Sequence, residues 1–323
     1  MRHRKLAIYY AWSRPDEVSA PLGVIEDRFP SLFESRRMLF PRYEAFSDPD
    51  QFDQGIGGFL DCIMRRNFVE LVRMAGALTG HPVIEIERID GDGRFTPLDA
   101  QALGDADTLL VISFDSLRTA QQAGPDEIEC VRRFLSDPRN LACISPHHDI
   151  GSDAADSHDA RLAGQVAAFL HHGDRTIPPR QGFGGFARTL LAGLEIPVEN
   201  RFGLRPSIEA DGTPSPIEIE AGLDRLGLLC GVATFNLHPH LPQFERLGAA
   251  VDRLDVLARQ RIDPAAPPHP FTATGRTLLD ALLQSREGVF DGTLLVSDAT
   301  LWSSTNGGVE QLQTLWRNVL TRA

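Results

Sequence analysis

Lysine is almost missing from this chain: Lys5 is the only one among 323 residues, so arginine supplies nearly all of the positive charge. A Schiff-base mechanism, including attachment of pyridoxal phosphate, needs a lysine held in a pocket. A single lysine at the edge of the first strand is poorly placed for that. No Gly-Lys-Ser/Thr occurs, which removes a Walker A phosphate loop, and no Gly-x-Ser-x-Gly elbow occurs, which disfavours a standard α/β-hydrolase. The cysteines (Cys62, Cys130, Cys143 and Cys230) are scattered singly, with no Cys-x-x-Cys pair to mark a zinc ribbon or a thioredoxin-like site. Each lies in an apolar segment, where a reduced thiol behaves as a small hydrophobe. Long apolar runs are lacking too. Nothing approaches the roughly 20 apolar residues needed to cross a bilayer, and the stretch between Lys5 and Ser13 is too short for a signal-peptide core. No basic block is present and the formal net charge is -12, which argues against nucleic acid and anionic membranes as partners. These absences predict a cytoplasmic protein. A homo-oligomer is compatible with them.

What is present is ordinary globular composition, 42% hydrophobic and 24% charged, in a chain long enough to bury a core without disulfides. Leu6 to Ala11 (LAIYYA) reads as the first strand, followed by a long irregular insertion over about 15–55 whose aromatic residues suggest that it packs down. Residues 58–76 have helical periodicity, ending at Gly76 or Gly80, and Val83 to Ile89 reads as a strand before a Gly-Asp-Gly turn. The clearest unit follows. Asp107 to Phe114 (DTLLVISF) is a continuous apolar run suited to a strand buried on both faces. Gly124-Pro125 opens a helix over 126–136, and Leu141 to Ser145 (LACIS) is the next buried strand, so these two strands are expected to be parallel. Beyond them, a helix is expected over 160–172, a hairpin over 208–221, a strand over 228–235, helices over 245–260 and 274–285, a strand over 292–297 and a terminal helix from about Val309. The glycine-rich GFGGF segment at 182–186 does not follow a strand in the order that a dinucleotide site needs. The pattern predicts one domain over 1–323: α/β, three-layer, flavodoxin-like, with a mostly parallel sheet and insertions.

The stretch LDAQALGDAD leading into TLLVISF, a helix opening on Pro-Asp-Glu, and a strand ending in a polar turn together resemble the class I glutamine amidotransferase-like superfamily, including its ThuA-like branch. The C-terminal LLVSDATLWSSTNGGVEQLQTLWRNVL looks like the same group. The resemblance covers about a third of the chain, and what it implies is a flavodoxin-like fold. True amidotransferases place a nucleophilic cysteine on a Gly-x-Cys-x-Gly elbow after this strand. Here the turn holds His147 and His148, and Cys143 lies inside the strand, so the family's Cys-His-Glu chemistry does not carry over. ThuA-like members have a histidine near this turn, similar to His147 or His148.

Ligands in open α/β sheets bind beyond the carboxyl ends of strands, and three polar clusters are expected there. His147, His148 and Asp149 follow LACIS directly; imidazole and carboxylate together can ligate a transition metal or run general acid–base chemistry. Adjacent residues rarely point the same way, so one of the two histidines is expected to face a site while the other packs. The competing reading is a solvated loop whose aspartates cap the next helix. His238-Pro239-His240 places two imidazoles at a spacing that puts both on one side of an extended segment. With His148 this pair is a candidate ligand set for a divalent metal such as zinc, iron or manganese; a metal-free polar pocket and a plain polar turn are the alternatives. Asp298, Trp302 and Asn306 follow the last strand and, with Asp115 and Asn236, are candidates for holding substrate. Two functions follow from this reading. One is an enzyme of hydrolase or lyase type acting on a small polar metabolite, with His147, His148, Asp149, His238 and His240 as the chemical groups. The other is a non-catalytic amidotransferase-like binding or interaction module.

Overall fold

The computed structural model describes residues 4–18, 65–115, 119–147, 183–238, 241–266, 271–304 and 309–322. In chain order these form β1 (Leu6–Ser13), α1 (Arg14–Val18), α2 (Arg65–Thr79), β2 (Ile84–Ile89), α3 (Ala100–Leu103), β3 (Thr108–Ser113), α4 (Pro125–Phe134) and β4 (Leu141–Pro146). Then come α5 (Gly185–Gly193), β5 (Val198–Leu204), β6 (Glu218–Ile219), β7 (Leu241–Arg246), α6 (Ala250–Arg253), β8 (Leu254–Arg261), β9 (Leu278–Ser285), β10 (Thr293–Ser297) and α7 (Val309–Thr321).

Eight strands form one sheet in the order β2-β1-β3-β4-β10-β9-β8-β6. The pairings from β2 through β10 are all parallel, and those from β10 through β6 are antiparallel. With β10 counted as the fifth strand, the parallel half has the 2-1-3-4-5 order of the flavodoxin-like doubly wound fold. Every residue of β1, β3, β4 and β10 is buried. The reason lies in the two separate cores, one on each side. Ile8, Tyr10 and Trp12 of β1 face a core completed by Phe68 and Leu71 of α2 and by Leu312 and Trp316 of α7. Ala7, Tyr9 and Ala11 face the opposite core, built with Val131 and Phe134 of α4 and with Phe186 and Leu190 of α5. A strand sandwiched in this way has no polar face, which is why its sequence is a continuous apolar run and not an alternation.

α4 shows how local sequence sets an element. Pro125 occupies the first turn, where its missing N–H costs nothing. Glu127 reaches back to accept from the Gly124 amide at 2.9 Å. Acidic residues fill the first turn and Arg132 and Arg133 the last, matching the helix dipole.

Three expectations are corrected. Residues 228–235 are not a strand: Gly227 and Gly231 take positive φ, turns close from Cys230 N to Gly227 O and from Val232 N to Leu229 O, and the Asp224 carboxylate accepts from the amides of Leu228 and Leu229. Residues 245–260 are not a helix; apart from a turn over 247–249 and the four-residue α6 they are the end of β7 and most of β8. Residues 278–285, within the helix expected over 274–285, are strand β9. β8 (LDVLARQR) and β9 (LLDALLQS) are made largely of Leu, Ala, Gln and, in β8, Arg, which favour helix in isolation, but their antiparallel pairing with each other and that of β9 with β10 overrides the preference. The hairpin expected over 208–221 is present in its first part, with Glu209 and Thr213 hydrogen-bonded around the turn and an isolated bridge between Ile208 and Pro214. The insertion (beyond residue 18) and the helix expected over 160–172 lie outside the described residues.

Candidate functional site

The carboxyl ends of β1, β3, β4 and β10 lie along one rim of the parallel half-sheet. Just beneath that rim, a buried polar cluster ties β4 to β10. Ser145 and Ser297 hydroxyls lie 3.0 Å apart, and the indole N–H of Trp302 donates to both at 3.0 Å. The Cys143 sulfur touches the same two hydroxyls at 3.4 and 3.3 Å. Burial pushes the Cys143 thiol up to about 11, so at neutral pH it is held as the thiol and not as the thiolate that a nucleophile needs. Below Trp302, a void of about 10 Å³ lined by Leu6, Leu71, Cys143 and Trp316 is apolar and has room for one water at most. It is a packing gap.

His147 follows β4 and is 6% exposed. Its ring meets Phe114 and Phe183 edge-on, with centroids 4.0 and 5.1 Å away. Its amide donates to the Ser113 carbonyl at 2.9 Å. His147 thus packs against these rings; His148 and Asp149 lie outside the described residues, as do His240 and Asn306.

Asp115, just beyond β3, is fully buried. Its carboxylate accepts from Ser113 Oγ and, at 3.0 Å, from the amide of Phe186 in the first turn of α5. Ser113 Oγ accepts in turn from the amide of Ala187 at 3.0 Å. A negative charge at a helix N-terminus satisfies amides that have no partner within the helix, so Asp115 and Ser113 together dock α5 against the rim. The chain enters α5 through Gly184 at φ +74°, where an added Cβ would lie 2.7 Å from Pro146 Cβ. Only glycine fits there, which accounts for part of the GFGGF run.

Asp298 is buried and caps the short 3-10 turn Ala299–Trp302, accepting from the Thr300 amide at 2.9 Å. Asn236, also fully buried, donates its Nδ2 to the Thr300 carbonyl at 2.8 Å, and its Oδ1 accepts from the amide of half-buried His238 at 3.2 Å. Gln260, at the end of β8, donates to the Asn236 carbonyl. These contacts draw the 236–238 segment to the end of β10, on the same rim as His147. This segment is in neither a helix nor a strand; it is held by these side-chain hydrogen bonds and by Phe235, which is fully buried in the core just before it.

The structure therefore places six of the residues singled out in the sequence along the carboxyl rim: Asp115 and His147 beyond β3 and β4, and Asn236, His238, Asp298 and Trp302 at the end of β10. Among the described residues no group of three or more His, Cys, Asp or Glu side chains is arranged to hold a metal ion, and no helix is long and apolar enough to cross a membrane. The sequence reading missed Asn200, Ser145 and Ser297. The two serines end apolar strands, where a hydroxyl next to the rim could have been noticed; Asn200 carries no local signal at all. No family model and no curated protein matches the chain.

Proposed function

We propose that this protein is an enzyme of hydrolase or lyase type acting on a small polar metabolite at the carboxyl rim, built on an amidotransferase-like, ThuA-like shell. His148, Asp149 and His240 supply the acid–base or metal-binding groups. His147, Asn236, Asp298 and Trp302 are the fixed, buried groups of that rim. The observation that carries this reading is the Asn236–Thr300 hydrogen bond, which draws residues 236–238 to the end of β10, beside the strand that delivers His147. Residues far apart in sequence converge where doubly wound sheets hold their ligands. The strand order of the parallel half is flavodoxin-like.

A second reading, a non-catalytic binding or interaction module cytoplasmic in location, is favoured by one observation: the cysteine nearest the family's nucleophile position is sealed in the core with its thiol held protonated. Elemental analysis of protein purified without a histidine tag separates the two. Near-stoichiometric zinc, iron or manganese that is lost in a His148→Ala/His240→Ala variant supports the metal-assisted enzyme. Metal-free protein whose melting temperature is unchanged by that variant and by a panel of polar metabolites supports the module.

A further inference from the structure

We infer that Asn200 is a positioning residue for the rim: it fixes the backbone of His147 at the end of β4. The inference rests on the proposed function for its purpose, but not for its geometry. Asn200 lies on β5, is fully buried, and donates from Nδ2 to the carbonyl of His147, 53 positions away in sequence. The opposite side of its amide faces α5, where Arg188 Nε donates to Oδ1 at 2.7 Å. A guanidinium can only donate, so Oδ1 must face Arg188 and Nδ2 must face His147. The amide cannot flip without losing both bonds. Arg188 is itself placed by α5, whose first turn is docked by Asp115 and Ser113, and its guanidinium lies 3.7 Å from Glu199.

A continuous path therefore runs from the end of β3, through the first turns of α5, across Arg188 and Asn200, to the last residue before His148. Each link is buried or half-buried. Such a path holds a rim carbonyl more rigidly than a loop with solvent-exposed hydrogen bonds could, as functional groups require of their supporting shell. β5 pairs with β7, Asn200 standing opposite Phe244, and β7 begins immediately after His240. The same two-stranded ribbon therefore borders both histidine segments.

The test uses the full chain with 13C-labelled histidine, with the His147 ring signal identified by its loss in a His147→Gln variant. Asn200→Asp keeps the shape and the Arg188 contact but removes the donor. Because the imidazole sits edge-on to two phenyl rings, a small movement of its backbone changes its ring-current shift. The expected result is a His147 signal displaced by more than its linewidth in Asn200→Asp, and unmoved in Leu191→Ala, a core truncation on α5 that destabilises without touching the path. An unmoved signal in Asn200→Asp, or equal movement in both variants, overturns the inference. Should Asn200→Asp fail to fold, Arg188→Met is read in its place: the amide loses the partner that orients it, and a stationary His147 signal again overturns the inference. A second arm titrates Zn2+ against a chelator. If the proposed function holds, Asn200→Asp weakens zinc on the order of tenfold and Leu191→Ala does not. Wild-type protein that takes up no zinc, with the His147 signal still moving, counts against the metal-assisted function and leaves the positioning role standing.

Discussion

Glu127 offers the sharpest test of how the fold is held together. Its carboxylate is 5% exposed and forms an ion pair with Arg88 of β2, itself 6% exposed. It also accepts from the amides of Leu98 at 3.0 Å and Gly124 at 2.9 Å. The Arg88 guanidinium donates to Gln121 Oε1, Tyr9 Oη and the Gln122 carbonyl. Its Cζ lies 4.8 and 4.6 Å from the ring centroids of Phe95 and Phe186. Glu127→Ala would leave the guanidinium buried without its counter-charge. Removing one partner of a buried pair costs about 3–5 kcal/mol, whereas replacing both by apolar residues of similar volume is often close to neutral. With about 2.1 cal/mol/K of unfolding entropy per residue over 323 residues, each kcal/mol lowers the melting temperature by roughly 1.5 °C. Glu127→Ala is therefore expected to melt about 5–7 °C lower by calorimetry. An Arg88→Met/Glu127→Leu double variant should recover part of that loss: the lone buried charge is gone, but the Leu98 and Gly124 amides stay without their acceptor. The reasoning is refuted if Glu127→Ala costs less than about 1 kcal/mol, or if the double variant is no more stable than the single one.

Two further outcomes follow from burial. Iodoacetamide at pH 8 should label exposed Cys230 in the native protein and leave Cys143 untouched, since Cys143 is sealed and protonated; peptide mass spectrometry showing comparable labelling of the two would contradict the structure. Stability should also fall on the alkaline side. Burial raises Cys143 from 9.0 to about 11 and raises Tyr9 and Tyr10 from 10.0. These groups hold their protons more tightly folded than unfolded, so their contribution is complete below pH 9. It is lost as pH rises towards 11, by up to about 1.4 kcal/mol per pH unit for each group. Urea midpoints measured from pH 8 to 10.5 should decline, and Cys143→Ala should flatten the part between 9 and 10; an unchanged profile in that variant would show that Cys143 is not the source.

The amino-acid sequence by itself determined the parallel half of the sheet. Strands such as TLLVIS and LACIS are legible because a segment buried on both faces can carry no polar alternation, and because Gly124-Pro125 marks the helix start between them. The same logic located β1 and β10; β2, whose residues alternate, and the amphipathic α7 were legible from their own periodicities. The rim positions Asp115, His147 and Asp298 were legible in consequence, since each directly follows such a strand. Tertiary structure alone decided the rest. LDVLARQR and LLDALLQS have helix-forming composition and become strands only because neighbours offer them unpaired backbone edges. LLCGVATF reads as a strand and is bent into turns by glycines at positive φ and by the Asp224 carboxylate. Asn236 and Asn200 gain their roles from partners 64 and 53 positions away. A hydrogen bond between residues that distant leaves no periodicity in either segment, because it is specified by where the chain returns and not by what surrounds it in sequence.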